Sequence, residues 1–293
     1  MINYKIGYDM YILNPYIYGA AGVTYLLDTY TAAAAYSLRQ LKTGVTSVVR
    51  VRRSSDNAES DFSATEIEDG TLTTWTGANS GYVTLWYDQA GSNNITQSNA
   101  SLQPRIVDAG TLTTRGGKPS VRFIGASNQR IENHSSAFLN LSDVSFFIVS
   151  SSQSTETVGV LSALNNSKTA TIRILQDSRT ATNRNLLLSN GTTTYAADLS
   201  TARVNTDQRL LSSFIDSSLN MSAFDNGATG GTNTYVTGTE AATGLTLGVQ
   251  YTAVSTPSTP LDGHIQEFIA FNTDQSANRT DIESDINTYY SIY

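Results

Sequence analysis

The side chains able to do chemistry in this 293-residue chain are few and widely spaced. Its two histidines, His134 and His264, fall in neither an HxxxH nor an HExxH spacing, so no metal-ligand pattern is present. His264 sits between Gly263 and Ile265 in an extended stretch and reads as a packed or surface strand residue. Cysteine is absent, which removes disulfides, thiolate ligands and a thiol nucleophile. There is no GxSxG elbow, phosphate-binding loop or dinucleotide fingerprint. Gly227, Gly230 and Gly231 follow Asp225-Asn226 as a turn, with no helix behind them to hold a phosphate. Asp225-Asn226-Gly227 and Asp177 are oxygen-rich loop positions of the kind that bind calcium, and turn chemistry accounts for them equally well. Glu156, Asp262 and Glu267 could do acid–base work, but they read as solvated carboxylates at strand ends. Arg50, Arg52 and Arg53 are followed at once by Asp56, Glu59 and Asp61, which predicts an ion-pair network. On a strand, Arg50 and Arg52 share one face and Arg53 takes the other. No metal, cofactor or catalytic residue is assigned.

The elements that must position these groups are mostly strands. Leu27, Tyr30, Ala34, Leu38 and Leu41 recur at spacings of three and four, predicting a helix over residues 28–42 with Asp28 or Thr31 as cap and Gly44 after its end. A strand over 46–53 and an acidic, turn-rich segment over 54–70 follow. Residues 82–87 alternate, with Tyr82, Thr84 and Trp86 on one face and Val83, Leu85 and Tyr87 on the other. Short strands are expected at 104–107 and 119–123, then at 144–150, 157–164, 171–176, 185–189, 209–217, 220–224, 245–251 and 263–271. A closing helix places Ile282, Ile286 and Tyr289 on one face, with Ser276 or Asp274 as cap. Short strands at near-regular spacing predict an all-β jelly-roll sandwich with one N-terminal and one C-terminal helix.

Composition narrows the setting. The net charge of −7 argues against nucleic-acid binding, which needs a basic surface. No apolar run is long enough to cross a bilayer, and the start lacks the basic and apolar regions of a signal peptide, so no membrane partner is expected. Residues 1–22 differ from the rest: Tyr4, Tyr8, Tyr11, Tyr16 and Tyr18 sit among Ile, Asn and Pro15. They predict either a strap along the domain formed by residues 23–293 or a docking arm for a neighbouring subunit or larger assembly. Trp75, Tyr195, Tyr235 and Tyr251 lie in or beside expected loops and are candidate glycan contacts, or equally strand-end caps or subunit contacts.

Three stretches carry unusually particular wording: Tyr36-Ser37-Leu38-Arg39-Gln40-Leu41, the run from Val49 to Glu59, and Trp86-Tyr87-Asp88-Gln89-Ala90-Gly91 through Gln103-Pro104-Arg105-Ile106-Val107. Together they resemble the front half of the arabinofuranosidase B catalytic module, and still more its non-enzymatic relatives in bacteriophage virion proteins. Phe123-Ile124-Gly125, the strand from Val144 to Val149, and Leu261 to Phe271 before a terminal helix resemble a laminin-G or concanavalin-A-like jelly roll. The resemblance covers roughly residues 25–293.

The arabinofuranosidase resemblance implies retaining glycoside hydrolysis by a nucleophilic carboxylate and an acid carboxyl. Matching the family's turn to Asn165-Asn166-Ser167 puts Val158-Gly159-Val160-Leu161-Ser162-Ala163-Leu164 where its Glu belongs, and none of these is acidic. Leu247-Gly248-Val249 matches the strand before its Asp, yet Gln250-Tyr251-Thr252-Ala253-Val254-Ser255 follows. The resemblance therefore implies a chain that is not an enzyme. It would be a virion structural protein, in capsid decoration, head fibre or tail, that presents a lectin-like jelly roll for adhesion to host or environmental glycans. Its partners would be other virion proteins and further copies of itself. It would be made in the host cytoplasm and displayed on the virion. The alternative is an arabinofuranosidase-like hydrolase or depolymerase with displaced carboxylates.

Overall fold

Apolar residues alternate with polar ones along most strands, and the inward sets close on one core. The computed structural model describes residues 24–134, 139, 142–152, 158–164, 170–176, 183–189, 193–199, 208–236, 244–253 and 256–293. Every strand pairing is antiparallel, giving the expected all-β jelly-roll sandwich. The back sheet runs Ala228–Thr234, Asn220–Asp225, Arg209–Ile215, Val144–Ser152 and Gly263–Phe271. The far edge of Gly263–Phe271 is shared by Ala34–Ser37 and Val121–Phe123. The front sheet runs Glu59–Phe62, Val49–Arg53 and Gly81–Trp86, then Ile95–Thr96 and Ile131–Asn133. It continues through Gly244–Leu247, Val158–Leu164, Ala170–Gln176, Asn183–Ser189 and Thr194–Leu199. Arg105–Asp108 also pairs with Gly81–Trp86, and its Arg105 faces Arg122, so the ladder passes from one sheet to the other.

Val49, Val51, Val83, Trp86, Ile131, Leu245 and Leu247 from the front meet Phe146, Ile148, Ile265 and Phe268 from the back between the sheets. A second core covers the outside of the back sheet. There Ile282, Ile286 and Tyr290 of the helix Arg279–Tyr290 pack on Phe147, Val149, Ile269 and Phe271. Asp274 accepts hydrogen bonds from Ser276 N and Oγ and so caps the 3-10 turn that leads into this helix.

Three local expectations are corrected. The helix predicted over 28–42 shrinks to one turn, Leu26–Thr29, and Ala34–Ser37 is a strand. Ala34 and Tyr36 face the central core while Ala35 faces the outer one. A strand buried on both faces is apolar throughout, and its spacing mimics a helix. Within the acidic segment a short helix forms, Ala64–Glu68, closed by a reciprocal Ser63–Glu66 capping box, and a second, Thr71–Thr76, follows directly after it. The second correction concerns Gly81–Trp86. A register shift opposite Arg50/Val51 marks a bulge. Val83 and Trp86, three apart, therefore both point inward, instead of lying on opposite faces. The predicted strand 245–251 also breaks, because Gly248 turns it at φ +96°, where a Cβ would lie 2.3 Å from Phe123.

Candidate functional site on the outer face of the front sheet

With Val49, Val51, Val83, Ile131, Leu245 and Leu247 turned inward, their neighbours form the outer face of the front sheet. Successive register partners make a transverse row there: Asp61, Arg50, Leu85, Thr96, Glu132 and Thr246. Glu132 is the carboxylate at its centre. Its Oε2 accepts from Tyr251 Oη at 2.8 Å, lies 3.0 Å from His134 Nε2, and accepts from Thr246 Oγ1 at 3.4 Å. Arg130 Nε stands 3.5 Å from Oε1. The ring of Tyr251 meets His134 edge-on at 6.2 Å.

Burial alone would raise the Glu132 carboxyl. Hydrogen bonds from His134 and Tyr251, with the electrostatic influence of His134 and Arg130, outweigh it and hold the group down at about 2. The same contacts and burial push the Tyr251 phenol well above its usual value, so it stays a neutral donor. The Glu132 and His134 side chains are each 21% exposed. An ionised acceptor within reach of solvent, flanked by oriented donors, suits hydrogen bonding to hydroxyl groups of a ligand. Gly244 fits this cluster closely, since a Cβ there would lie 2.4 Å from His134 Nδ1.

The residues singled out in the sequence fall elsewhere or serve differently. Tyr251 is buried and contributes its hydroxyl, not an open ring face. Tyr235 is buried too, edge-on to the half-buried Tyr195. Trp75 packs against Phe62 beneath the Arg53 guanidinium, which stands 4.7 Å from its ring centre. Tyr4, Tyr8, Tyr11, Tyr16 and Tyr18, with Glu156 and Asp177, lie outside the described residues. Asp225 pairs with Arg209, and Asn226-Gly227 makes a hairpin turn with both residues at positive φ. Glu267 and Asp262 are not solvated strand-end groups. The first is buried against Arg39 and the second pairs with Arg122. His264 is packed, with Nδ1 2.9 Å from Ser120 Oγ. The expected arginine network forms in part: Arg50 pairs with Asp61 and Arg53 with Asp56, while Arg52 bonds to Gln103 and Asn57.

The distinctive wording around Trp86 proves to be a set of clasps. Asp88 accepts from the backbone N–H groups of Ala35, Ala90 and Asn93. Gln89 accepts from Leu41 N and donates to the carbonyls of Ser37 and Arg39. Gln103 accepts from Arg52 and donates to the Gln97 carbonyl. The three stretches of distinctive wording are thus the ones that bond to one another. Sequence reasoning missed Glu132 because Glu132 and Thr246 are far apart along the chain. The Glu132-Asn133-His134 alternation was its only local signal.

No family model matches the chain, and no curated protein is similar to it in sequence. Solved structures do match. One is a mutant α-L-arabinofuranosidase of family GH54 soaked with 4-nitrophenyl α-L-arabinofuranoside, at TM-score 0.64 and 13% identity, over 87% of this chain and 62% of that one. An arabinofuranosidase complexed with arabinofuranosyl-α-1,2-xylobiose matches at TM-score 0.63 and 12% identity, with the same coverage. This chain therefore spans less than two thirds of their length. The match overturns the expectation that the chain is not an enzyme. That expectation rested on two acid-free segments, whereas the fold is one that enzymes use and Glu132 stands beside Gly244–Leu247 on the same sheet. At these identities the likeness is one of fold: the sandwich is that of the arabinofuranosidases.

Proposed function

We propose that this protein recognises a glycan on the outer face of its front sheet, with Glu132 as the central acceptor. The observation that carries the reading is the ionised, part-exposed Glu132 held by Tyr251, His134 and Thr246. The structural likeness to arabinofuranosidases, one of them holding an arabinofuranosyl-xylobiose, supports a saccharide as ligand. Calorimetry against a panel of arabinoxylan-derived and bacterial-surface oligosaccharides tests it. Glu132→Gln keeps the shape but loses a charge-assisted hydrogen bond, and lowers affinity by about tenfold or more. A panel without a single binder refutes the proposal.

Hydrolysis at the same face is the second reading, favoured by the fold match and by the ionised state that a nucleophile or base requires. Release of reducing sugar by the full chain, lost in Glu132→Gln, would establish it.

The setting we propose is a virion surface, and the support is the sequence resemblance together with the tyrosine-rich stretch over residues 1–22. Removing those residues should leave a folded domain that no longer enters particles. Normal incorporation would refute the docking role.

A further inference from the structure

A second transverse row lies two residues along from the Glu132 row. Glu59, Arg52, Tyr82, Arg105, Arg122 and His264 are successive register partners, so their side chains share a face. Five strand spacings give this row a span of about 24 Å; it lies about 7 Å from the first on Glu59–Phe62 and Val49–Arg53, and then runs along Arg105–Asp108 toward the back sheet. Arg52 and Arg105 are the immediate neighbours of Val51 and Ile106, which enter the core, and this puts both on the outer face. Arg122 stands directly opposite Arg105, an arrangement of like charges that destabilises a sheet unless anions answer it.

The chain's own anions answer it only in part. Arg105 pairs with Asp108 and Arg122 with Asp262. Arg52 lies 5.0 Å over the Tyr82 ring and bonds to the neutral groups of Gln103 and Asn57. Arg115, half-buried in the neighbouring hairpin Thr114–Pro119, lies close enough to act electrostatically on His264 of this row. Among the described residues, neither Arg52 nor Arg115 has a carboxylate within ion-pair distance. The imidazole of His264 registers this field: burial, with the charges of Arg122, Arg115 and Arg105, lowers it to about 4 despite Asp262. A concentration of cations on one stripe of a chain with net charge −7 is a local feature, not an average one.

We propose that this stripe takes an acidic polysaccharide whose repeating carboxylates meet Arg52, Arg105 and Arg115. The inference deepens the glycan reading of the same face and rests on it. Glu59, Asp108 and Asp262 interleave with the arginines and would repel a continuous phosphodiester backbone. Carboxylates spaced along a hydroxyl-rich chain can avoid them and use Tyr82 between the cations.

The test is calorimetry of the full chain with an oligogalacturonide, a neutral arabinoxylo-oligosaccharide and a single-stranded DNA oligomer. The oligogalacturonide should bind about tenfold tighter than the neutral glycan at low salt, with the advantage lost by about 0.5 M NaCl. Arg115→Gln should weaken it about threefold, and Arg52→Gln with Arg115→Gln about tenfold, leaving neutral-glycan affinity unchanged. Among the described residues Arg115 holds no side-chain partner, so its single variant keeps the test valid if the double variant unfolds. Equal binding of both glycans, insensitive to the arginine variants but lost in Glu132→Gln, would overturn the acidic class and leave glycan recognition standing. Tighter binding of DNA would overturn the inference as well. Absence of binding to either glycan would defeat the recognition reading, and this inference with it.

Discussion

Glu132 and Glu267 are both strand carboxylates that accept from a tyrosine and lie beside an arginine, and they do opposite jobs. Glu267 accepts a forked pair from Arg39, Nε at 2.8 Å and Nη2 at 3.0 Å, with Ser37 Oγ at 2.7 Å and Tyr290 Oη at 3.3 Å. Its side chain is 1% exposed, sealed beneath the C-terminal helix. Glu132 has the looser arginine contact, 3.5 Å, and keeps 21% of its side chain open. Matched donors on every side turn a carboxylate into a bolt between elements. A reachable one with oriented neighbours stays available to something outside the fold.

The sharpest way to break this comparison is to remove each acid in turn. Glu267→Ala removes the buried carboxylate that Arg39 forks onto, leaves it the more exposed Asp285, and should cost about 3–5 kcal/mol in urea unfolding. A loss below about 1 kcal/mol would mean that Glu267 is no bolt. Glu132→Gln should show its effect with pH. The folded carboxyl sits at about 2 against an ordinary 4.5, so its contribution is complete above pH 4.5 and is lost as pH falls toward 2. It amounts to about 3 kcal/mol. His264, lowered to about 4, gives a separate loss as pH falls from about 6.5 toward 4, present in both proteins. The difference between wild type and variant therefore isolates Glu132. A constant difference across pH 5 to 2 would contradict the assignment of its charge.

How much of this was legible in the sequence follows from the same two residues. The strand over 263–271 and the terminal helix were readable because alternation and spacing are local. The partner of Glu267 was not, since Arg39 comes from a segment whose two-sided burial imitates a helix. The words around Asp88 and Gln89 were distinctive but did not disclose a purpose. Only their bonds to Ala35, Leu41 and Ser37 show that they clasp the scaffold. Glu132 escaped because the search for carboxylates followed Val158–Leu164 and the residues after Val249, while sheet order puts the acid on the opposite flank of Gly244–Leu247.

A smaller effect probes the open site through its support. Gly244→Ala would set a methyl group 2.4 Å from His134 Nδ1 and 2.5 Å from the Asn133 carbonyl. Relief requires the Asn133–His134 backbone to shift, since the methyl would also lie 2.7 Å from His134 Cα, and that shift carries His134 away from Glu132. Stability should fall by about 1–3 kcal/mol, and glycan affinity should fall with it. Unchanged affinity at reduced stability would show that His134 does not orient the acceptor.

The smallest expected effect lies at the end of the Glu132 row. Arg50 and Asp61 form a forked pair, Nε–Oδ1 2.7 Å and Nη2–Oδ2 2.9 Å, with Tyr87 Oη bonded to both residues. Their side chains are 41% and 36% exposed, so water screens the pair. Arg50→Gln should cost about 0.2–1 kcal/mol, and less in high salt. Because Arg50 and Glu132 share a row but have separate partners, the double variant with Glu132→Gln should lose the sum of the two single losses. A coupling above about 1 kcal/mol would make the row one network. The open carboxylate would then be braced from the sheet edge, and its contrast with Glu267 would be one of degree.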